Sequence, residues 1–171
     1  IVPWESSSIL HVQIVNDALY DMPVRLQLEC YRLNGKQLFS LETPVNLCGN
    51  ESRLYAVFNI KDMLQKARRD EVFVRIRVWQ EEKMVAQTMH YFAPPKDLKL
   101  QTPGIHYQID ETNQTLTLSA NTLVKNLYLY ADSAVQFADN YFDLLPGETK
   151  VVPYKGALQQ MNLKWRSCNA K

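Results

Sequence analysis

The chain has 171 residues, 46% of them apolar and 22% charged, with Lys+Arg at 19 and Asp+Glu at 18. That length holds one large domain or two small ones and excludes a (β/α)8 barrel of roughly 250 residues. A net charge of +1 offers no basic surplus to a phosphate backbone, so nucleic acid is not an expected partner. No run approaches the roughly 18 apolar residues of a membrane-spanning helix, and five glycines form neither GxGxxG nor GxxxxGK[ST].

The chain opens at Ile1 rather than Met, without a charged-then-apolar leader, and reads as a processed or excised piece of something longer. Ser6-Ser7-Ser8 reads as a flexible lead-in rather than a nucleophile. From Leu10 the hydrophobic period is two. Leu10-His11-Val12-Gln13-Ile14 alternates, and so does Val24-Arg25-Leu26-Gln27-Leu28-Glu29-Cys30, which sets Cys30 on the apolar side. Asn34-Gly35 between two such runs is a strong hairpin signal. Cys48-Gly49-Asn50-Glu51-Ser52 is a polar break. Lys61 to Arg69 departs from the period and reads as one or two helical turns, with Asp62 as N-cap and Met63, Leu64 and Ala67 on the inner side. Its Lys66, Arg68 and Arg69 are read as a solvated face, since Asp62, Asp70 and Glu71 flank them. Val72 to Val78 alternates again, with Arg75 and Arg77 expected on the wet side, and Glu81-Glu82-Lys83 breaks it from the next strand.

Ala93-Pro94-Pro95-Lys96-Asp97 cannot carry a strand, because two prolines remove two ladder donors. It is the expected boundary, giving domains 1–95 and 96–171. After it, Thr115 to Ser119 and Met161 to Trp165 keep the period of two, Asp110 to Gln114 forms a polar turn, and Pro146-Gly147 suits the centre of a type II turn. Six or seven strands are expected before Pro94 and about six after it. One-sided alternation of this kind builds antiparallel sheets, so the predicted class is all-β: two tandem immunoglobulin-like antiparallel β-sandwiches.

Little in the chain points to chemistry. There is no GxSxG, HExxH or DxDxDG. His90 reads as a half-buried strand residue, and His11 as facing solvent or a neighbouring domain. Cys30, Cys48 and Cys168, with three scattered histidines, lack the spacing of a zinc site. A Cys30–Cys48 bond stays open, the plainer reading being two small buried apolar residues. No catalytic, metal or cofactor-binding residue is assigned. Trp79, Tyr91 and Trp165 are candidates for stacking on sugar rings. Tyr128 and Tyr130 join them, on the strand face opposite Leu127 and Leu129. A carbohydrate-binding module is therefore an alternative reading, and a cell-surface protein-interaction module is another. Asn50-Glu51-Ser52 and Asn113-Gln114-Thr115 are N-x-[ST] sequons.

One stretch is more specific: Asp139-Asn140-Tyr141-Phe142-Asp143-Leu144-Leu145-Pro146-Gly147-Glu148. It resembles the "DNYFDLLPGE" run in the last immunoglobulin-like domain of β-mannosidases and related members of glycoside hydrolase family 2. Leu10-His11-Val12-Gln13-Ile14-Val15-Asn16-Asp17 resembles the opening "hVwivND" strand of the preceding domain, with Gln13 where an aromatic is common. Phe92 to Leu100 resembles the join between the two. The resemblance implies non-catalytic C-terminal accessory domains. The two catalytic glutamates of that family lie on a TIM barrel N-terminal to them, and no residue here matches a catalytic motif. The partners it implies are the barrel and other domains of an exo-acting parent chain, with a homodimer possible. Together with the sequons it favours a periplasmic, extracellular or lysosomal setting over a cytoplasmic one. Asp139, Asn140, Tyr141, Phe142, Pro146, Gly147 and Glu148 are assigned a structural part: Tyr141 and Phe142 burying apolar area, Asp139 and Asn140 bonding backbone, and Pro146-Gly147 reversing the chain.

Overall fold

A computed structural model of the chain describes residues 1–132, 134–159 and 162–169. The chain divides into two compact units, residues Ile1–Arg32 with Lys36–Ala93, and Leu33–Gly35 with Pro94–Lys171. Both are built from antiparallel strands, and the architecture is all-β and immunoglobulin-like.

The first unit has seven strands among the described residues: β1 (Val2–Ser6), β2 (Ile9–Asn16), β3 (Met22–Arg32), β4 (Gln37–Leu47), β5 (Glu51–Asn59), β6 (Val72–Gln80) and β7 (Lys83–Tyr91). They form a three-stranded sheet ordered β1-β2-β5 and a four-stranded sheet ordered β4-β3-β6-β7. Alternation supplies the core between them. Leu10, Val12 and Ile14 of β2 face Val24, Leu26, Leu28 and Cys30 of β3 and Val74, Ile76 and Val78 of β6. Burial pushes the Cys30 thiol up to about 12, so it behaves as one more small apolar side chain.

Three local readings change. Ser6-Ser7-Ser8 is not loose: Ser6 ends β1, and Ser7 and Ser8 adopt φ of 49° and 66° in a two-residue hairpin turn to β2. The helix α1 (Ile60–Leu64) is capped by Asn59, whose Oδ1 accepts from the Lys61 N–H at 2.9 Å, and Asp62 lies within its first turn. Finally, the outer side of β6 is not wet. Arg75 is only 8% exposed, because β6 runs between β3 and β7 and Glu29 and Met89 stand directly opposite it.

The outer face of the β1-β2-β5 sheet has another character. Register places Val2, Trp4 and Ser6 of β1 beside Ile9, His11, Gln13 and Val15 of β2 and Ser52, Leu54, Val57 and Asn59 of β5. Trp4 stacks on His11 with ring centroids 3.8 Å apart and planes within 5°.

The second unit opens with Pro94 in extended geometry (φ −58°, ψ 152°) and a 3₁₀ turn at Pro95–Asp97. Its strands are β8 (Ile105–Asp110), β9 (Thr115–Ala120), β10 (Val124–Ala131), β11 (Gln136–Phe137), β12 (Phe142–Leu144), β13 (Thr149–Lys155) and β14 (Leu163–Arg166). Sheets ordered β12-β10-β14 and β11-β13-β9-β8 enclose Leu116, Leu118, Leu127, Leu129, Leu144, Val152 and Leu163. Met161, expected to begin the last alternating run, lies outside the described residues.

Candidate functional site

The segment from Asp139 to Glu148 links β11 to β13 through β12. Its central device is Asn140. The Asn140 Oδ1 accepts from the Leu129 N–H at 2.6 Å, and the Asn140 Nδ2 donates to the Leu129 carbonyl at 2.9 Å. β12 pairs with β10 only at Leu144–Val124 and Phe142–Leu127. The Asn140 side-chain amide thus supplies, one step further along β10, the donor and acceptor that a neighbouring strand would have offered. Asp139 does not bond backbone here. It pairs with the Lys150 ammonium at 2.6 Å, and Lys150 also sits 4.4 Å from the centre of the Phe142 ring. The Asp143 Oδ1 accepts from the Asn126 N–H and from Lys125. Leu144 and Leu145 are buried. The Glu148 N–H donates to the Leu145 carbonyl at 3.2 Å and Gly147 takes φ 76°, which closes a turn around Pro146-Gly147.

Tyr141 departs from the burial expected of it. It is 68% exposed, with φ at 58°, a backbone region that costs a bulky residue roughly 1–2 kcal/mol. The reason lies in the outer face of β10. The ring stacks on Tyr128 at 4.8 Å, and Tyr128 stacks on Tyr130 at 5.7 Å. The Arg166 guanidinium lies 5.5 Å from the Tyr130 ring centre. Tyr141 therefore ends an outer row of rings instead of filling the core. Phe142 is half-buried.

Of the three stacking candidates, Trp79 and Tyr91 stand apart on the first unit, and Trp165 belongs to the second. Trp79 is held on β6 between the Arg25 and Arg77 guanidiniums, 5.6 and 5.2 Å from its ring centre, and its Nε1 donates to Gln27. Tyr91 pairs with Phe73 in a row with Tyr31. Trp79 stands six positions further along β6, roughly 20 Å away at strand rise. Trp165 belongs to the second unit, meets Tyr107 edge-on at 5.8 Å, and pairs with inward-facing Leu129, so its side differs from that of Tyr128 and Tyr130.

Sequence reasoning missed a polar cluster centred on Glu29. Its carboxylate accepts from Arg75 at 3.0 Å, Arg77 at 2.8 Å and the Tyr31 hydroxyl at 2.8 Å. Burial by itself would raise the Glu29 carboxyl, but the Tyr31 hydroxyl and the two guanidiniums together hold it below the usual carboxylate range. The available signal was opposite charge at the same phase of two alternating strands. The histidines are placed as follows: His90 lies on β7 with its Nε2 2.9 Å from Glu5 Oε1, and His11 is half-buried against Trp4. Of the cysteines, Cys48 is half-buried and Cys168 exposed, and neither they nor Cys30 forms a disulfide. Among the described residues no cluster of three or more His, Cys, Asp or Glu could hold a metal ion, and no helix is long and apolar enough to cross a membrane.

Retaining or inverting glycoside hydrolysis uses two carboxyl groups flanking the scissile bond. One open concavity of about 420 Å³ is lined by Asn113, Gln114, Phe137, Tyr154, Lys155 and their neighbours, with no carboxylate. Another, of about 820 Å³ beside Leu98, Leu100 and Asn169, has Asp97 as its sole acid.

Comparison with known proteins follows this architecture. The model of the mannosidase Ig/CBM-like domain matches residues 8–97, and that of an Ig-fold domain matches residues 100–169. The β-mannosidase B of Aspergillus clavatus is 32% identical over 84 residues, 47% of this chain and 10% of that protein. The β-D-mannosidase of Dictyoglomus thermophilum superposes with a TM-score of 0.74 at 19% identity, over 97% of this chain and 21% of that one. The exo-chitosanase of Amycolatopsis orientalis does so at 0.54 and 12%, over 93% and 24%. These two likenesses show the fold. The chain spans about a fifth to a quarter of the solved chains and a tenth of the curated relative.

Proposed function

We propose a role that proceeds from one premise: the chain belongs to the mannosidase Ig/CBM-like domain family, whose model spans more than half of it. Its two domains, 1–95 and 96–171, are non-catalytic accessory domains of a longer glycosidase of the β-mannosidase type in glycoside hydrolase family 2. In such a polypeptide a TIM barrel removes terminal β-mannosides, and these sandwiches support it as packing partners. The observation that carries this reading is the tandem order of the two family matches over residues 8–97 and 100–169. The segment from Asp139 to Glu148 supports it too, since its polar groups are spent on its own sandwich: Asn140 on β10, Asp139 on Lys150, Asp143 on Asn126. Asn50 and Asn113, the sequon asparagines, are both exposed in turns, which agrees with a setting outside the cytoplasm.

The test is direct. The pure 171-residue protein should give no turnover of a nitrophenyl β-mannoside, whereas the longer polypeptide that contains it should. Turnover by the 171-residue protein, linear in its concentration and surviving repurification, would sink the accessory reading.

A further inference from the structure

We propose that the concavity beside β11 and β13 in the second unit is a binding site for a neutral saccharide, taking one pyranose ring of a glycan. Such a site belongs to this chain alone and is independent of the glycosidase reading. The recess measures about 420 Å³, inside the roughly 300–1,000 Å³ of small-ligand sites. Backbone sets its frame. β11 and β13 place Gln136 opposite Lys155 and Phe137 opposite Tyr154. The Ala138 N–H donates to the Pro153 carbonyl at 2.8 Å, and the Tyr154 N–H donates to the Gln114 carbonyl at 2.9 Å. The turn before β9 is fixed by the Asp110 carboxylate, which accepts from the Asn113 N–H at 3.0 Å and from the Asn113 side-chain amide at 2.7 Å. Both walls hold their shape without a ligand, so little ordering remains to offset binding.

The groups in this frame suit a sugar. Phe137 lines the recess and is tilted against Tyr154 at 6.4 Å, while Tyr154 itself is buried. A ring anchored in this way gives the C–H side of a pyranose an apolar surface. Gln114, Gln136 and Lys155 line the recess too; all three are exposed, and their side chains make no hydrogen bond or ion pair with the described residues. A side-chain amide brings both donors and an acceptor, and an ammonium brings donors, which sugar hydroxyls can answer in either sense. Asn140 and Asn169 of the same unit spend their amides on the Leu129 and Leu123 carbonyls, whereas those of Gln114 and Gln136 are uncommitted. Charge decides between a neutral and an anionic ligand. Among the described residues of the lining Lys155 alone is charged. Burial raises the Tyr154 phenol, and the negative charges of Glu111 and Asp110 raise it further. One ammonium set against two nearby carboxylates gives an anion no net attraction, and a neutral polyhydroxylated ligand meets no such obstacle.

The experiment titrates the isotope-labelled 171-residue protein with β-mannotriose, cellotriose, maltotriose and glucuronic acid, read by backbone amide NMR shifts. At least one neutral trisaccharide should give saturable shifts centred on Gln114, Gln136 and Phe137, with a dissociation constant on the order of 1 mM. Gln136→Ala should weaken that binding severalfold, and Phe137→Leu, which keeps an apolar side chain but removes the ring, should weaken it further. Gln136 is exposed, so Gln136→Ala should leave the spectrum away from the recess unchanged. Absence of saturable shifts with all three trisaccharides up to about 50 mM overturns the site. So do shifts centred elsewhere, or an affinity that neither substitution alters. Tighter binding of glucuronic acid than of any trisaccharide overturns the neutral ligand. Each result is read without any hydrolysis assay, so it stands apart from the outcome for the longer polypeptide.

Discussion

Glu29 is the residue on which the most depends locally. Three donors converge on one buried carboxylate, and removing its charge leaves Arg75 and Arg77 to share a desolvated site without an anion. Glu29→Gln should cost about 3 kcal/mol at neutral pH, measured by urea unfolding. The pH dependence has a definite sign. A carboxyl whose folded pKa lies below its ordinary 4.5 stabilises the fold above that value, and the contribution disappears as pH falls through the folded pKa. The urea midpoint of the native protein should drop below about pH 4.5, and Glu29→Gln should flatten that drop. An unchanged pH profile in the variant would show that other carboxylates govern it. Asn140 acts by hydrogen bonding alone. Asn140→Ala strips two partners from the Leu129 backbone and should cost about 2 kcal/mol in the same measurement. A loss below about 0.5 kcal/mol would mean that water replaces both bonds.

At the scale of elements, the period of two was legible wherever a strand has one buried side. The alternation of β2, β3 and β9 is visible from Leu10, Val24 and Thr115 onward, and the hairpin from Asn34-Gly35. What alternation cannot say is whether the second side meets water. For β6 that depends on which strands flank it, so Arg75 and Arg77 read as wet when cross-strand neighbours cover them. β1 escaped for a different reason. Pro3 hides its pattern, and the turn after it is Ser7-Ser8 rather than a Gly- or Asn-bearing pair. The assigned segment was legible as a motif, but its working atoms were not. Nothing in the letters tells that Asn140 reaches β10 while Tyr141 turns outward in the left-handed region. The Ser7-Ser8 turn carries its own prediction. Two consecutive positive φ values suit Asn-Gly far better than Ser-Ser. The double substitution Ser7→Asn with Ser8→Gly should therefore stabilise the fold by about 1 kcal/mol, seen as a higher urea midpoint at unchanged m-value. A lower midpoint would mean that the serines make compensating contacts.

On the scale of the whole molecule, the division of labour follows from where polar groups are spent. In the first unit the Glu29 carboxylate, and in the second Asp139, Asn140 and Asp143, are bonded within their own unit. The sheet topology has a further consequence, for the order of events during synthesis. The strand pairs β1–β2, β3–β4 and β6–β7 are neighbours in sequence and form locally, but the sheets close by pairing Ile9 with Asn59 and Arg25 with Trp79. A growing chain thus holds finished hairpins with open edges until β5 and then β6 emerge from the ribosome. Such edges recruit other strands, and non-local pairings are the slow step of β-folding. The interval between β3 and β6 is when the first unit is most exposed to misassembly and has most to gain from a chaperone that covers a strand edge.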